Sequence, residues 1–267
     1  MIPAEFEYIK ASSVAQAVSL LAEHGYDAKL ISGGHSLVPA MKLRLNRPAV
    51  LIDIGGIAEM NSITDSGDAI VVGANCTHKS IHTSDLINSQ LGVLAQTAGV
   101  IGDVQIRNRG TIGGSLAHAD PASDYPAAVL ATGATIIAHG PNGERRIAAT
   151  EFFQGIFTTA LEDDEVITAI SFPKCPNGVY KKFYQSASRF AVVGCAAVKD
   201  GNGVRVGVTG VSDTPYRASA VESAYDGTTS AAAHAVDGVE VMSDHFASEE
   251  YRSHLAKVFV GRALADL

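Results

Sequence analysis

Gly110-Thr111-Ile112-Gly113-Gly114-Ser115-Leu116-Ala117-His118-Ala119-Asp120-Pro121-Ala122-Ser123-Asp124-Tyr125-Pro126 is the stretch from which the rest of the chain can be read. A pair of glycines after Thr111 lets backbone come close to a ligand where a Cβ would intrude, and turns successive amides toward one point. A phosphate suits such a point. Pro121 interrupts the chain, and Ser123 or Asp124 is then placed to cap a helix starting at Tyr125-Pro126, with Pro126 tolerated in its first turn. The Asp124 carboxylate is thus open to two jobs: capping that helix, or accepting hydrogen bonds from the hydroxyl pair of a ribose or similar sugar.

The same device stands earlier as Ser32-Gly33-Gly34-His35-Ser36, after the strand-like run Lys29-Leu30-Ile31. Two glycine turns far apart in sequence are suited to gripping the two halves of one pyrophosphate. Ser36 is expected to cap a brief helix in which Leu37 and Met41 stack at i, i+4, and strand, glycine turn, helix is a phosphate-binding order. Neither turn ends in Gly-Lys-Ser or Gly-Lys-Thr, and neither has the G-x-G-x-x-G spacing, so triphosphatase and Rossmann folds fit poorly.

With 267 residues the chain has room for two lobes or more, each with a core. A formal net charge of −8 argues against nucleic acid, whose backbone is bound by clustered excess Lys and Arg. No run approaches the ~18 to 20 apolar residues of a membrane span. Met1-Ile2-Pro3-Ala4-Glu5-Phe6 lacks the basic-then-apolar order of a leader, so a cytoplasmic location is expected. Cys76, Cys175 and Cys195 are odd in number and scattered, which fits reduced thiols and is too few to hold an iron–sulfur cluster. Any such centre belongs on another chain, and no metal ligands are assigned here.

Along the chain, Ser13-x-x-Gln16 is a capping-box signal for a helix whose Val14, Val18 and Leu21 share a face before Gly25. Strands are expected near 28–31, 50–54 and 69–73, the last preceded by a turn at Thr64-Asp65-Ser66-Gly67-Asp68. Residues 77–100 read as two helices parted near Gly92, and 101–110 as a loop in which Arg107 and Arg109 are placed either to offset phosphate charge or to face solvent. Gly140-Pro141-Asn142-Gly143 makes a hairpin of 134–138 and 145–147, and a strand over 166–172 ends at Pro173. Cys175-Pro176-Asn177-Gly178 reads as a linker, with a domain boundary near residue 176. Beyond it a hairpin turns at Asp200-Gly201-Asn202-Gly203, and helices are expected over much of the remainder.

Ala28-Lys29-Leu30-Ile31-Ser32-Gly33-Gly34-His35-Ser36-Leu37-Val38-Pro39-Ala40-Met41-Lys42-Leu43-Arg44-Leu45 and Arg107-Asn108-Arg109-Gly110-Thr111-Ile112-Gly113-Gly114-Ser115-Leu116 resemble the two FAD motifs of the medium, flavin-carrying subunit of molybdenum hydroxylases, the carbon monoxide dehydrogenase and xanthine dehydrogenase family. The likeness continues through Ala119-Asp120-Pro121-Ala122-Ser123-Asp124-Tyr125-Pro126 to Glu250-Tyr251-Arg252-Ser253-His254-Leu255-Ala256. It implies an α+β fold: a two-lobed FAD-binding domain of the vanillyl-alcohol oxidase (PCMH) type over 1–176, with lobes of about 1–55 and 56–176, then a small α+β C-terminal domain with an antiparallel sheet over 177–267.

The resemblance also implies roles. Ser32, Gly33, Gly34, His35 and Ser36, with Ile31 and Leu37 flanking them, and Thr111, Gly113, Gly114 and Ser115 wrap the FAD pyrophosphate. Asp124, beside Ser123, hydrogen-bonds the ribose or ribityl chain, and Leu161 lies near the flavin and its adenine pocket. Lys29 and Tyr184 occupy neighbouring positions, and His118 and Ala119 belong to the pocket just past the second turn. Ile101 stands where some relatives have an aromatic against the isoalloxazine, which leaves Phe190 as a candidate for ring packing. Histidines of the wider fold can carry FAD covalently, but the resembled subunits hold it non-covalently, and His35 is expected to do the same.

The family reading makes this chain the FAD subunit of a heterotrimer, in a dimer of heterotrimers, with the molybdenum cofactor on a large subunit and [2Fe-2S] clusters on a small one. FAD passes electrons to an external acceptor, and no side chain of this subunit is assigned a catalytic role. An autonomous FAD-dependent oxidase or dehydrogenase of the same wider fold is the alternative, distinguished by reduction of the lone chain by a small alcohol or sugar. A nucleotide-binding regulatory module is another, and would bind ADP-containing ligands without redox change.

Overall fold

The computed structural model of the chain describes residues 1–201 and 203–267, the side chain of Asp200 excepted. The hairpin turn read at Asp200-Gly201-Asn202-Gly203 contains Asn202, which lies outside the described residues.

Three short strands open the fold: β1 (Glu7–Lys10), β2 (Ala28–Ile31) and β3 (Val50–Asp53), with β3 central and parallel to both neighbours. A parallel pair needs a crossover, and the helix Val14–His24 supplies the first one. It buries Val14, Ala17, Val18 and Leu21 and stops at Gly25, whose φ of +52° suits glycine. Ser13 caps this helix from its side chain, but Gln16 reaches back to the amide and hydroxyl of Ser12, one residue before the position a capping box requires.

The second lobe is an antiparallel sheet built on β4 (Ile63–Asp65), β5 (Ala69–Gly73), β6 (Thr135–Gly140) and β7 (Gly143–Ala148). After a two-stranded ribbon of β8 (Phe153–Gly155) and β9 (Thr158–Thr159), the strand β10 (Val166–Pro173) inserts between β5 and β6, giving the order β4-β5-β10-β6-β7. A register shift between Ile167 and Ala169 interrupts the ladder with β6, while on the β5 side the ladder runs one step further, the Thr168 carbonyl accepting the Ala74 amide at 2.9 Å. The Ala74 carbonyl in turn accepts the Gly113 amide at 2.8 Å.

Residues 77–100 form three helices rather than two: His78–His82, Asp85–Gln90 and Gly92–Gly99. Ser84 caps the second from its side chain, which ends the first turn earlier than hydropathy alone suggests. The stretch 101–110 is not wholly loop, since Asp103 caps a single turn over Val104–Arg107. Helix Tyr125–Thr132 is buried at every position.

The last sheet, β11 (Gly178–Tyr184), β12 (Ala191–Asp200), β13 (Gly203–Thr209) and β14 (Tyr216–Arg217), is antiparallel throughout. Ala196 and Val198 of β12 join the core of the preceding lobe, whereas Val193, Cys195 and Ala197 face a second core under helix Glu249–Ala265. β12 is thus covered on both faces, which explains its unbroken apolar run. A Cβ on Gly207 of β13 would fall 2.1 Å from the Ala127 carbonyl oxygen, so glycine there lets the buried helix lie directly on the sheet. The remainder is less helical than its composition suggests: besides Ser219–Ala224, a 3-10 turn over Thr229–His234 and the final helix, it is irregular. Among the described residues no helix is long and apolar enough to cross a membrane.

Candidate cofactor cleft

The two glycine stretches meet. Ser32 follows β2, and its hydroxyl donates to Asn75 Oδ1 at 2.6 Å and lies 3.1 Å from Thr111 Oγ1. Asn75 Nδ2 donates to the Ile54 carbonyl at 2.7 Å, which fixes the amide orientation. Ser32 has one hydroxyl proton and spends it on Asn75, so Thr111 donates to Ser32 and keeps its lone pairs for the Gly114 amide, 3.3 Å away. Asn75, only 3% exposed, joins the first lobe to the second. Sequence reasoning missed it; the one signal was a polar residue directly after an apolar strand.

The glycines of each pair divide their work. A Cβ on Gly33 would lie 2.3 Å from the Arg109 carbonyl oxygen, and one on Gly113 2.5 Å from Ala74 Cβ, so these two permit chain to pack on chain. Gly34, with φ of +74°, needs glycine for its conformation, and an added Cβ on Gly114 would meet only the Thr111 hydroxyl. Gly34 and Gly114 line the cleft; Gly113 does not.

The second stretch is not a free turn but the opening of a helix, Ile112–His118, capped by Thr111 and ended by Ala119 with φ of +48°. Its first amides are already engaged: Ile112 on the Cys76 carbonyl at 3.1 Å, Gly113 on that of Ala74 at 2.8 Å, Gly114 on Thr111 Oγ1, and Ser115 on the Thr111 carbonyl at 3.0 Å. The expectation that these amides converge on a phosphate is therefore corrected, because strand-end carbonyls and the cap take them. In the first turn the amides of Gly33, Gly34, His35 and Ser36 have no partner among the described residues and are available. Ser36 does not cap helix Leu37–Lys42, since its backbone is itself helical and its hydroxyl makes no cap bond.

Asp124 does not cap its helix either. Its carboxylate accepts the Tyr180 hydroxyl at 2.6 Å and the Lys182 ammonium at 2.8 Å, and the side chains of Lys182 and Asp124 are 4% and 6% exposed. Burial pushes the carboxyl upward in pKa, and Lys182 and then Tyr180 pull it back.

Around these residues runs a cleft that opens to solvent at its mouth. Of the residues singled out from sequence, Gly33, Gly34, His35, Ser36, Ile101, Thr111, Gly114, Ser115, His118, Ser123 and Asp124 line it. Phe190 lines it too. Ser32 sits behind the wall through its bond to Thr111, whereas Lys29, Ile31, Leu37, Gly113, Ala119 and Leu161 lie outside the lining, and Tyr184 borders a separate cavity with Arg189 over its ring.

Several lining residues had no sequence signal, among them His78, Ile106, Ser188 and Arg189. His78 is buried with Nδ1 3.1 Å from the Tyr125 hydroxyl, and burial first, then the nearby His35 and Arg107, pushes it down to about 3. The ring is neutral at physiological pH, and a Cβ on Gly110 would lie 2.5 Å from its Nε2. His118 is lowered as well by burial, against Asp120. His35 Nδ1 lies 3.0 Å from the Gly33 carbonyl oxygen. Arg107 is turned to the Ile101 and Gly102 carbonyls at 2.9 and 3.0 Å, so it pins its own loop.

The donor set fits a dinucleotide pyrophosphate: free amides of the first turn, the Ser36 and Ser115 hydroxyls, and, among the described residues, a single lining carboxylate whose charge is matched by Lys182. Residues 4–175 match the family model for the FAD binding domain in molybdopterin dehydrogenase, and 178–267 match that for the CO dehydrogenase flavoprotein C-terminal domain.

The chain belongs to the FAD-binding flavoprotein family of the molybdopterin dehydrogenases.

Its cofactor is FAD, and it is a component of an oxidoreductase. It is 39% identical to the carbon monoxide dehydrogenase medium chain of Hydrogenophaga pseudoflava, over 99% of this chain and 97% of that one. The 6-hydroxypseudooxynicotine dehydrogenase complex subunit alpha of Paenarthrobacter nicotinovorans is 37% identical, over 99% and 95% of the two chains. Among solved structures, carbon monoxide dehydrogenase from Hydrogenophaga pseudoflava superposes with a TM-score of 0.95 at 39% identity, covering 100% of this chain and 98% of that one. Quinoline 2-oxidoreductase from Pseudomonas putida 86 does so at 0.92 and 29% identity, covering 99% and 97%. Family and fold thus agree with the resemblance: a two-lobed FAD-binding part followed by an α+β part with an antiparallel sheet.

Proposed function

We propose that this chain is the electron-transfer subunit of a heterotrimeric molybdenum hydroxylase, taking electrons from [2Fe-2S] clusters of a small partner subunit and delivering them to an external acceptor. The large partner carries the molybdenum cofactor, the assembly is a cytoplasmic dimer of heterotrimers, and the domain boundary falls near residue 176. Bound FAD supplies the chemistry, exchanging electrons singly or in pairs. The protein supplies position and environment. The amides of 33–36 with Ser115 hold the pyrophosphate, Asp124 accepts from the sugar-like hydroxyls, and Ile101 and Phe190 flank the ring.

The observation that carries the reading is the bond between Ser32 and Thr111, which closes two stretches 79 positions apart around one cleft. The names of the relatives support it, since they are medium chains or subunits of multi-chain dehydrogenases. Subunits purified separately should be mixed anaerobically with carbon monoxide, an aldehyde or an N-heterocycle, omitting one at a time, while flavin absorbance is followed. Bleaching that needs all three chains is expected. If this chain alone bleaches as fast as the full mixture, it is an autonomous enzyme.

A further inference from the structure

The cofactor cleft is walled in part by Ser123 and Asp124, which end the segment 120–124 between helix Ile112–His118 and helix Tyr125–Thr132, and besides the turn that Asp120 closes within it this segment is held by residues beyond 178. The Pro121 carbonyl accepts the Gly210 amide at 2.9 Å, and Thr209 Oγ1 lies 2.8 Å from the carbonyl oxygens of both Pro121 and Ser123. The Ala122 carbonyl accepts the Ala191 amide at 3.1 Å. Asp124 is gripped by Tyr180 and Lys182 of β11, whose own place is set by the ladder with β12. Among the described residues facing that carboxylate, Lys182 alone is cationic, and Tyr180 and Tyr125 are kept neutral by burial.

We propose that Lys182 and Tyr180 are positioning residues for the cofactor: acting through Asp124, they fix one wall of the cleft, so that FAD affinity is set from outside the matched FAD-binding segment. The inference rests on the assignment of this cleft to FAD. A buried carboxylate with no counter-charge either takes a proton or rotates toward water, and either change withdraws the acceptor from the cofactor's hydroxyls. Lys182 removes both options. Tyr180 adds direction, because a hydroxyl donating to one carboxylate oxygen fixes the plane of the group. The C-terminal sheet is thereby part of the cofactor site, in addition to any role in contacting a partner.

The test uses the full chain as purified with whatever chains accompany it, stripped of flavin and titrated with FAD by fluorescence. Lys182→Met is expected to raise the Kd by about tenfold or more, and Tyr180→Phe by about threefold. In an Asp124→Asn background, adding Lys182→Met should change the Kd by less than about twofold, since the route through the carboxylate is already cut. Val260→Ala, a cavity in the core under the last helix, should lower the thermal midpoint without moving the Kd. The proposal is overturned if Lys182→Met leaves the Kd unchanged, if its full effect persists on top of Asp124→Asn, or if Val260→Ala weakens FAD as much. Should Lys182→Met fail to fold, Tyr180→Phe decides, an unchanged Kd counting against. A Gly114→Val protein that still takes up full flavin would instead defeat the assignment of the cleft.

Discussion

Gly33→Ala is expected to loosen the cofactor and the fold together, whereas Gly114→Val should cost chiefly the cofactor. A Cβ on Gly33 would sit 2.3 Å from the Arg109 carbonyl oxygen and 2.9 Å from Gly110 Cα, both backbone atoms that no rotamer change can move, and ordinary contact begins near 3.4 Å. The turns must part by about 1 Å, more than the 3.1 Å bond between Ser32 and Thr111 can absorb. Overpacking of this kind costs roughly 1 to 3 kcal/mol. At roughly 2 to 4 °C per kcal/mol for a chain of this size, the apo midpoint should fall by about 2 to 12 °C. Loss of even about 1.4 kcal/mol of binding is about tenfold in Kd. A Val at 114 displaces the Thr111 hydroxyl, which caps helix Ile112–His118 and bonds Ser32, and otherwise stands in the cleft, so its midpoint should fall by about 1 to 8 °C while flavin content collapses. Thermal melts of the apo proteins and fluorescence titration with FAD measure both. A Gly33→Ala protein that binds FAD within about twofold of wild type would refute the claim that close approach of the turns shapes the site.

Gly34→Val should also lose flavin while circular dichroism stays largely native, because φ of +74° strains any branched residue there; full flavin occupancy would count against it. His78 binds fewer protons folded than unfolded between its ordinary 6.5 and about 3, so its contribution to stability is complete above 6.5 and lost as pH falls toward 3. His78→Gln should therefore flatten the fall of the thermal midpoint across that window, and an unaltered slope would show that the ring is not held neutral. Acid precipitation of the flavin-loaded chain should send the yellow colour to the supernatant; colour retained in the pellet would indicate a covalent link, His35 being the residue to examine.

Strands and their turns were legible because period, β-branched residues and glycine or proline stops agree locally: β5, β6, β7 and β10 fall within a residue or two of their expected bounds. What was not legible depends on where distant groups land. Thr111 reads as part of a loop until Ser32 and the Gly114 amide are seen to share it. Asp124 reads as a cap or a ligand, and nothing in its neighbourhood announces a lysine 58 positions later. β11 went unread because Lys181, Lys182 and its two tyrosines break the apolar run, and Tyr180 answers to Asp124 as well as to the core it joins. His78 gives no sequence signal because its role comes from burial beneath Gly110, a property of packing.

The position of β10 bears on how the protein is made. Until it emerges, β4 with β5 and β6 with β7 are two hairpins with no shared neighbour, and the edges carrying Ile70, Val72, Ile136 and Ile137 stand open. The ribosome needs roughly 5 to 20 s to add the ~100 residues between Gly73 and Pro173. For that interval the nascent chain offers the border of β5 to its surroundings, joined by that of β6 once Thr135–Gly140 has been added, and edges of this kind pair readily with whatever strand comes first. Expression that outruns chaperone supply should therefore yield inclusion bodies rich in β structure, and slower synthesis should favour the folded chain.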